Sequence, residues 1–136
     1  MKTIAVIAVL LGLAGPTQAA DLTVAQRTVA EEMRLLLQVR AKLDRIRDMC
    51  ADVVLDEAKL IAQRDHLISL AMDLFPSRDA FFEAAGLGKQ AEMAEDVRRY
   101  FLDRGVSWTS PSDDYCTLAD GLHTAHAPIA QYFDKR

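Results

Sequence analysis

Cysteine is nearly absent from the sequence. The chain has only two, Cys50 and Cys116, which stand 66 residues apart. This spacing excludes the C-x-x-C motif of redox enzymes and the C-x-x-C-H motif of haem attachment. Cys116 also follows Asp113 and Asp114, whose negative charges disfavour a reactive thiolate. We therefore expect no redox catalysis by either cysteine.

Basic residues are fewer than acidic ones. Lysine and arginine number 16 against 20 aspartates and glutamates, and the formal net charge is −4 at pH 7. Because no basic stripe follows the chain, we expect no nucleic-acid partner. No serine lies in a nucleophile-elbow pattern, and the segment 86–88 (Gly-Leu-Gly) is only long enough to stop a helix. We predict no catalytic residues and no cofactor.

The sequence has only one long apolar run, at residues 3–14. It is little more than half of the roughly 20 residues that a membrane-spanning helix needs. Lys2 precedes the run, a Gly-Pro pair ends it, and small residues follow at the positions that a signal peptidase inspects. We predict a cleaved signal peptide at residues 1–19. Residues 20–136 are then a single helical domain in the bacterial periplasm, without a stable membrane anchor.

Glycine and proline are both missing between Asp21 and Phe75, which favours helix over sheet. Every seventh residue of the first helix is apolar, in a stripe formed by Leu22, Val29, Leu36, Leu43 and Cys50. Thr23 or Asp21 is expected to cap its start. Its end is placed near residues 48–52, because two aspartates flank the cysteine and Asp52 suits the cap of a following helix.

The second predicted helix carries a double apolar stripe, which indicates the most buried helix of the protein. The stripe consists of Val53, Leu60, Leu67 and Leu74 beside Val54, Ile61, Ile68 and Phe75. Pro76 ends this helix. Ser77 then caps a short third helix, which Gly86 stops.

Two more helices complete the predicted fold. The fourth runs over about residues 89–104. The fifth has Ser110 as its N-cap and Pro111 in its first helical position, and Pro128 kinks or restarts it. No segment shows the alternation of a strand. The expected fold is therefore all-α, a small bundle of about five helices clamped by one disulfide.

The disulfide is one of two interpretations of the cysteines. Both sulfurs are expected to face inward near helix ends, and export places them where disulfides persist. A bond between Cys50 and Cys116 would stabilise the fold by roughly 4 kcal/mol on the chain-entropy model. The other interpretation is a metal site, because Asp120 and His123 lie four and seven residues after Cys116, and His126 follows. We predict the disulfide and keep Asp120, His123 and His126 as candidate metal ligands.

Several segments resemble a known protein family. The central Cys50, the "RGV" at 104–106, the "SPSDDYC" at 110–116 and the final "IAQYF" are similar to a family of small exported bacterial proteins. That family is described only as a domain of unknown function. It often has a proline directly after the first cysteine, where this chain has Ala51. The resemblance, which covers residues 33–136, implies an all-helical periplasmic protein with paired cysteines, and it supplies no activity.

These observations lead to a functional hypothesis. We expect a non-enzymatic periplasmic binding or interaction module, whose partner is an unknown protein or small molecule. The alternative is a metal-binding protein that uses the candidate ligands named above. The aromatic residues Trp108, Tyr115 and Tyr132 either form a binding patch or cover the rim of the core.

Overall fold

The computed structural model describes residues 21–136, and the predicted signal peptide lies outside them. The elements are α1 (Val24–Met49), β1 (Val53–Leu55), α2 (Glu57–Met72), α3 (Arg78–Ala84), α4 (Gln90–Leu102), α5 (Ser112–Thr124), a 3₁₀ helix (Pro128–Tyr132) and β2 (Phe133–Lys135). The prediction of a mostly α-helical bundle with about five helices is confirmed. Within this part of the chain, no helix combines the length and the apolar character needed to cross a membrane.

The long helix α1 is the centre of the bundle and contacts the other four helices. Thr23 begins it with a capping box, in which the Thr23 hydroxyl accepts from the Gln26 amide and the Gln26 side chain accepts from the Thr23 amide. The predicted apolar stripe faces the core from Val29 to Cys50, whereas Leu22 is half-buried. The helix ends at Met49, inside the predicted break.

Two short strands are the main departure from the prediction. β1 pairs antiparallel with β2, which places Leu55 opposite Phe133 and Val53 opposite Lys135. The expectation that no strand is present is therefore wrong for these residues, and so is the predicted cap at Asp52. Asp56 caps α2 instead, and its carboxylate accepts from the Lys59 amide at 3.0 Å. A strand of three residues is too short to show the alternation of apolar and polar side chains, and the two strands are separated by most of the helices. The sequence pattern therefore does not predict them.

The helix α2 is less buried than its double stripe predicts. Leu60 and Leu67 are buried, but Ile61 is 44% exposed. α2 packs on α1, α3 and the 3₁₀ helix, and these neighbours leave part of the stripe uncovered. The prediction that the second helix is the most buried one is therefore wrong.

The later helices follow their predicted caps, with one exception. Ser77 caps α3, and its hydroxyl accepts from the Ala80 amide at 3.1 Å. α5 begins at Ser112 rather than at Pro111, because the Ser110 hydroxyl accepts from the Ser107 amide at 2.9 Å and so stabilises the preceding loop. The prediction that Ser110 is the N-cap is wrong by one residue.

A disulfide between Cys50 and Cys116 joins the end of α1 to α5, as predicted, with the two Cα atoms 5.2 Å apart. Cys50 is fully buried and Cys116 is half-buried. The bond therefore ties the last helix, and the 3₁₀ helix and strand that follow it, to the centre of the bundle.

Candidate functional site

The three candidate metal ligands near the end of α5 do not converge in the structure. Asp120, His123 and His126 are all exposed. The Asp120 carboxylate forms an ion pair with Lys135 of β2, and the His123 ring lies 6.1 Å from the Phe133 ring. His126 follows the end of α5 and has a φ of 51°. Because α5 ends at Thr124, His126 does not continue the helical spacing of Asp120 and His123 on which the predicted metal site depended.

A different set of potential ligands does come together at the disulfide. Among residues 21–136, Cys50, Asp52 and Cys116 are the only group of three or more such side chains whose ligand atoms lie within 4.8 Å of one another. Both sulfurs are bonded to each other, so the group offers no thiolate. Its role in this structure is the covalent link itself.

The three aromatic residues do not form a single patch. Tyr115 is fully buried, and its hydroxyl donates to the Ser107 carbonyl at 2.8 Å. Trp108 is partly exposed, and its ring lies 4.7 Å from the Arg45 guanidinium. Tyr132 lies apart from both, near Lys59 of α2. Tyr115 is therefore a core residue, which agrees with the second of the two interpretations.

Two groups with shifted pKa values meet where α1 packs on α4. Two cations lie close to the Tyr100 ring, with Lys42 Nζ at 4.2 Å and the Arg104 guanidinium at 3.6 Å from its centroid. Burial lowers the pKa of Lys42, and the charge of Arg104 lowers it further. Burial also raises the pKa of Tyr100, against the opposing effect of Arg104. Both shifts favour the uncharged forms, which makes this contact sensitive to alkaline pH.

A groove of about 440 Å³ lies between α1 and α2. Its apolar lining consists of Met33, Leu36 and Leu37 from α1, and Leu60 and Ile61 from α2. Ligand pockets typically occupy about 300–1,000 Å³ and are lined mainly by apolar side chains. The groove therefore has the size and the lining of a site for a small molecule.

Charged side chains complete the groove. Arg40 donates two hydrogen bonds to the Glu57 carboxylate, at 2.5 and 3.1 Å, and it also pairs with Asp44 at 3.1 Å. The hydrogen bond to Glu57 raises the pKa of Arg40. Arg64, from the next turns of α2, also lines the groove. The groove thus combines an apolar floor with a few polar groups at its edges, which is the usual composition of a binding site.

The sequence pattern predicts Leu36, Leu60 and Ile61 of this groove as core. The sequence feature that indicates the groove is the double stripe of α2. Two adjacent apolar rows are wider than one helix–helix contact, so one row can remain outside that contact. Leu60 packs into the core, while Ile61 in the second row remains at the open side.

Comparison of the chain with protein-family models, with curated proteins and with solved structures finds no match. This result is consistent with a family that has no assigned function. Any function for the groove must therefore be inferred from its own geometry.

Proposed function

We propose that the protein is a non-enzymatic binding module of the bacterial periplasm, which holds a small amphipathic molecule in the groove between α1 and α2. The observation that carries this proposal is the groove itself. Met33, Leu36 and Leu60 form a largely buried floor, and Leu37 and Ile61 form more open sides. Ile61 is 44% exposed, so a ligand that covered it would remove apolar surface from water.

The paired charges at one end support a binding role. Arg40 and Glu57 satisfy each other through two hydrogen bonds, and Arg47 and Asp44 extend the same network, with their closest atoms 3.2 Å apart. Such a network maintains the spacing of the two helices before any ligand arrives. A preformed site binds more tightly, because less conformational freedom is lost on binding.

The compartment is argued from two features. The disulfide between Cys50 and Cys116 indicates an oxidising compartment, since such bonds are rare in a reducing cytosol. The predicted signal peptide at residues 1–19 makes that compartment the periplasm. Cell fractionation tests the assignment: the shortened chain is expected in the periplasmic fraction, and full-length protein in the cytoplasm would contradict it.

Binding in the groove is tested with a neutral apolar fluorophore, N-phenylnaphthylamine, whose emission rises when it leaves water. The wild-type chain is expected to bind it saturably. Ile61→Asp is expected to weaken binding about tenfold, because it replaces part of the apolar contact with a charge.

Leu70→Asp is the matched control. Leu70 lies on the same helix and is 43% exposed, but it does not line the groove. Its substitution is expected to leave binding unchanged. Absence of saturable binding by the wild-type chain, or an equal loss in both variants, would contradict the proposal.

A further inference from the structure

We infer that the groove selects free, single-chain amphiphiles with an anionic head group, which binds at Arg64. This inference rests on the proposed function and names the chemistry of its ligand. It follows from the way the charged side chains are paired at the two ends of the groove.

The two helices that form the groove run in opposite directions. Arg40 bonds to Glu57 near the start of α2, while the Gln26 side chain at the start of α1 donates to the Leu74 carbonyl beyond the end of α2, at 2.7 Å. Arg64 follows Glu57 by seven residues, which is about 10 Å along the helix axis. The groove therefore has one end at the Arg40–Glu57 pair and the other at Arg64, beside Met33.

The charged side chains at the first end are all paired with one another. Arg40 and Arg47 each pair with both Asp44 and Glu57, and Arg47 also pairs with Asp48. A ligand charge of either sign would have to break existing ion pairs at this end. It is therefore suited to the uncharged end of a ligand.

The second end has a cation with unused donors. Within residues 21–136, the only ion pair of Arg64 is with its neighbour Asp65, where Nε and Nη2 both donate to the same carboxylate oxygen at 3.1 and 3.0 Å. A guanidinium has five N–H donors, so most of them remain for a ligand. Their planar arrangement matches the two oxygens of a carboxylate or a sulfate ester.

The length of the groove decides between free amphiphiles and bilayer lipids. About 10 Å of apolar floor accommodates one short alkyl chain beside the two helices. The two long chains of a membrane phospholipid do not fit this space. The occupant is therefore a free single-chain molecule with its head at Arg64 and its tail against Leu36, Leu60 and Ile61.

The experiment compares three probes that share a decyl tail and differ in head charge. Decanoate, decanol and decyltrimethylammonium each compete with N-phenylnaphthylamine for the wild-type chain. Decanoate is expected to bind about fivefold more tightly than decanol, because one half-exposed ion pair contributes about that much affinity. The ammonium compound is expected to bind most weakly.

Arg64→Gln is expected to abolish the preference for decanoate and to leave decanol binding unchanged. Arg98→Gln is the matched control, because Arg98 is also half-exposed and pairs with a nearby acid, Glu95, but lies on α4 outside the groove. It is expected to keep the preference.

The outcomes separate this inference from the proposed function. Equal binding of all three probes would overturn the anion selectivity and leave the binding role standing, whereas absence of binding by every probe would overturn both. Flotation with phosphatidylglycerol vesicles that depends on Arg64 would show a membrane lipid as the ligand and overturn the inference. A dimer that dissociates when decanoate is added would also overturn it, because a second copy of the chain would then occupy the groove.

Discussion

Tyr115 shows what a single residue contributes to this fold. Its ring is fully buried, and its hydroxyl donates to the Ser107 carbonyl and accepts from Arg45 Nε at 3.2 Å. Arg45 also donates to the Trp108 carbonyl at 3.0 Å. One phenol thus joins α1, α5 and the loop before α5.

Tyr115→Phe is expected to lower the free energy of unfolding by about 1–2 kcal/mol, because the Ser107 carbonyl and Arg45 each lose a partner. Urea unfolding measures the change. Tyr132→Phe is the control, since this tyrosine is half-buried and its hydroxyl has no hydrogen bond to the rest of the described chain. A loss as large in the control would show that the buried hydrogen bonds are unimportant.

Ionisation of Tyr100 makes the stability of the protein depend on pH. Because its pKa is raised by burial, the folded protein holds the phenol proton more tightly than the unfolded chain does. The stabilisation is present below the ordinary tyrosine pKa and is lost as the pH rises through the higher folded value. Lys42 has the opposite effect: with its pKa lowered, the penalty for burying its charge disappears as the pH rises.

As the pH rises above about 10, the ordinary tyrosine pKa, we expect the stability of Tyr100→Phe to fall less than that of the wild type, because the variant has no phenol to ionise. Urea unfolding at a series of pH values gives the two curves. Parallel curves would mean that ionisation of Tyr100 does not limit alkaline stability.

At the scale of elements, local signals predict the helices well. The cap at Thr23, the break after Met49 and the cap at Ser77 all lie where the sequence places them. Each depends on side chains within a few residues, which is why it is readable from the sequence. The strands β1 and β2 depend on pairing between two segments that lie far apart in the sequence, which local patterns do not contain.

Two glycines provide a test at this scale. Gly121 lies inside α5, and a Cβ added there would meet no atom within 4 Å other than those of its chain neighbours and of the backbone of α5. Gly121→Ala is therefore expected to stabilise the protein by about 0.5–1 kcal/mol. Gly105→Ala is expected to destabilise it by about 1–2 kcal/mol, because Gly105 has a φ of 76°. Thermal unfolding measures both, and a change of the same sign would contradict the explanation.

At the scale of the whole molecule, the disulfide is the main long-range connection. The chain between Cys50 and Cys116 contains α2, α3 and α4, and the bond closes this loop of 66 residues. It also supports the end of the chain, since β2 pairs with β1 close to Cys50. Stability of the last elements therefore depends on a bond made far away in sequence.

The double variant Cys50→Ala/Cys116→Ala is expected to lose roughly 4 kcal/mol of unfolding free energy, as the chain-entropy model gives for a loop of this length. Reduction of the wild-type protein serves as the matched comparison and is expected to produce a similar loss. A loss below about 1 kcal/mol in both would mean that the unfolded chain is already compact near the two cysteines.

The sequence by itself determined the helical class, most helix limits and the pairing of the cysteines, because helix periodicity, caps and a two-cysteine composition are local or countable properties. Only the tertiary structure decided that Asp120, His123 and His126 remain apart and that Ile61 lines a groove instead of the core. The physical reason is that periodicity shows which face of a helix is apolar, whereas the neighbours that pack on that face determine how much of it is covered.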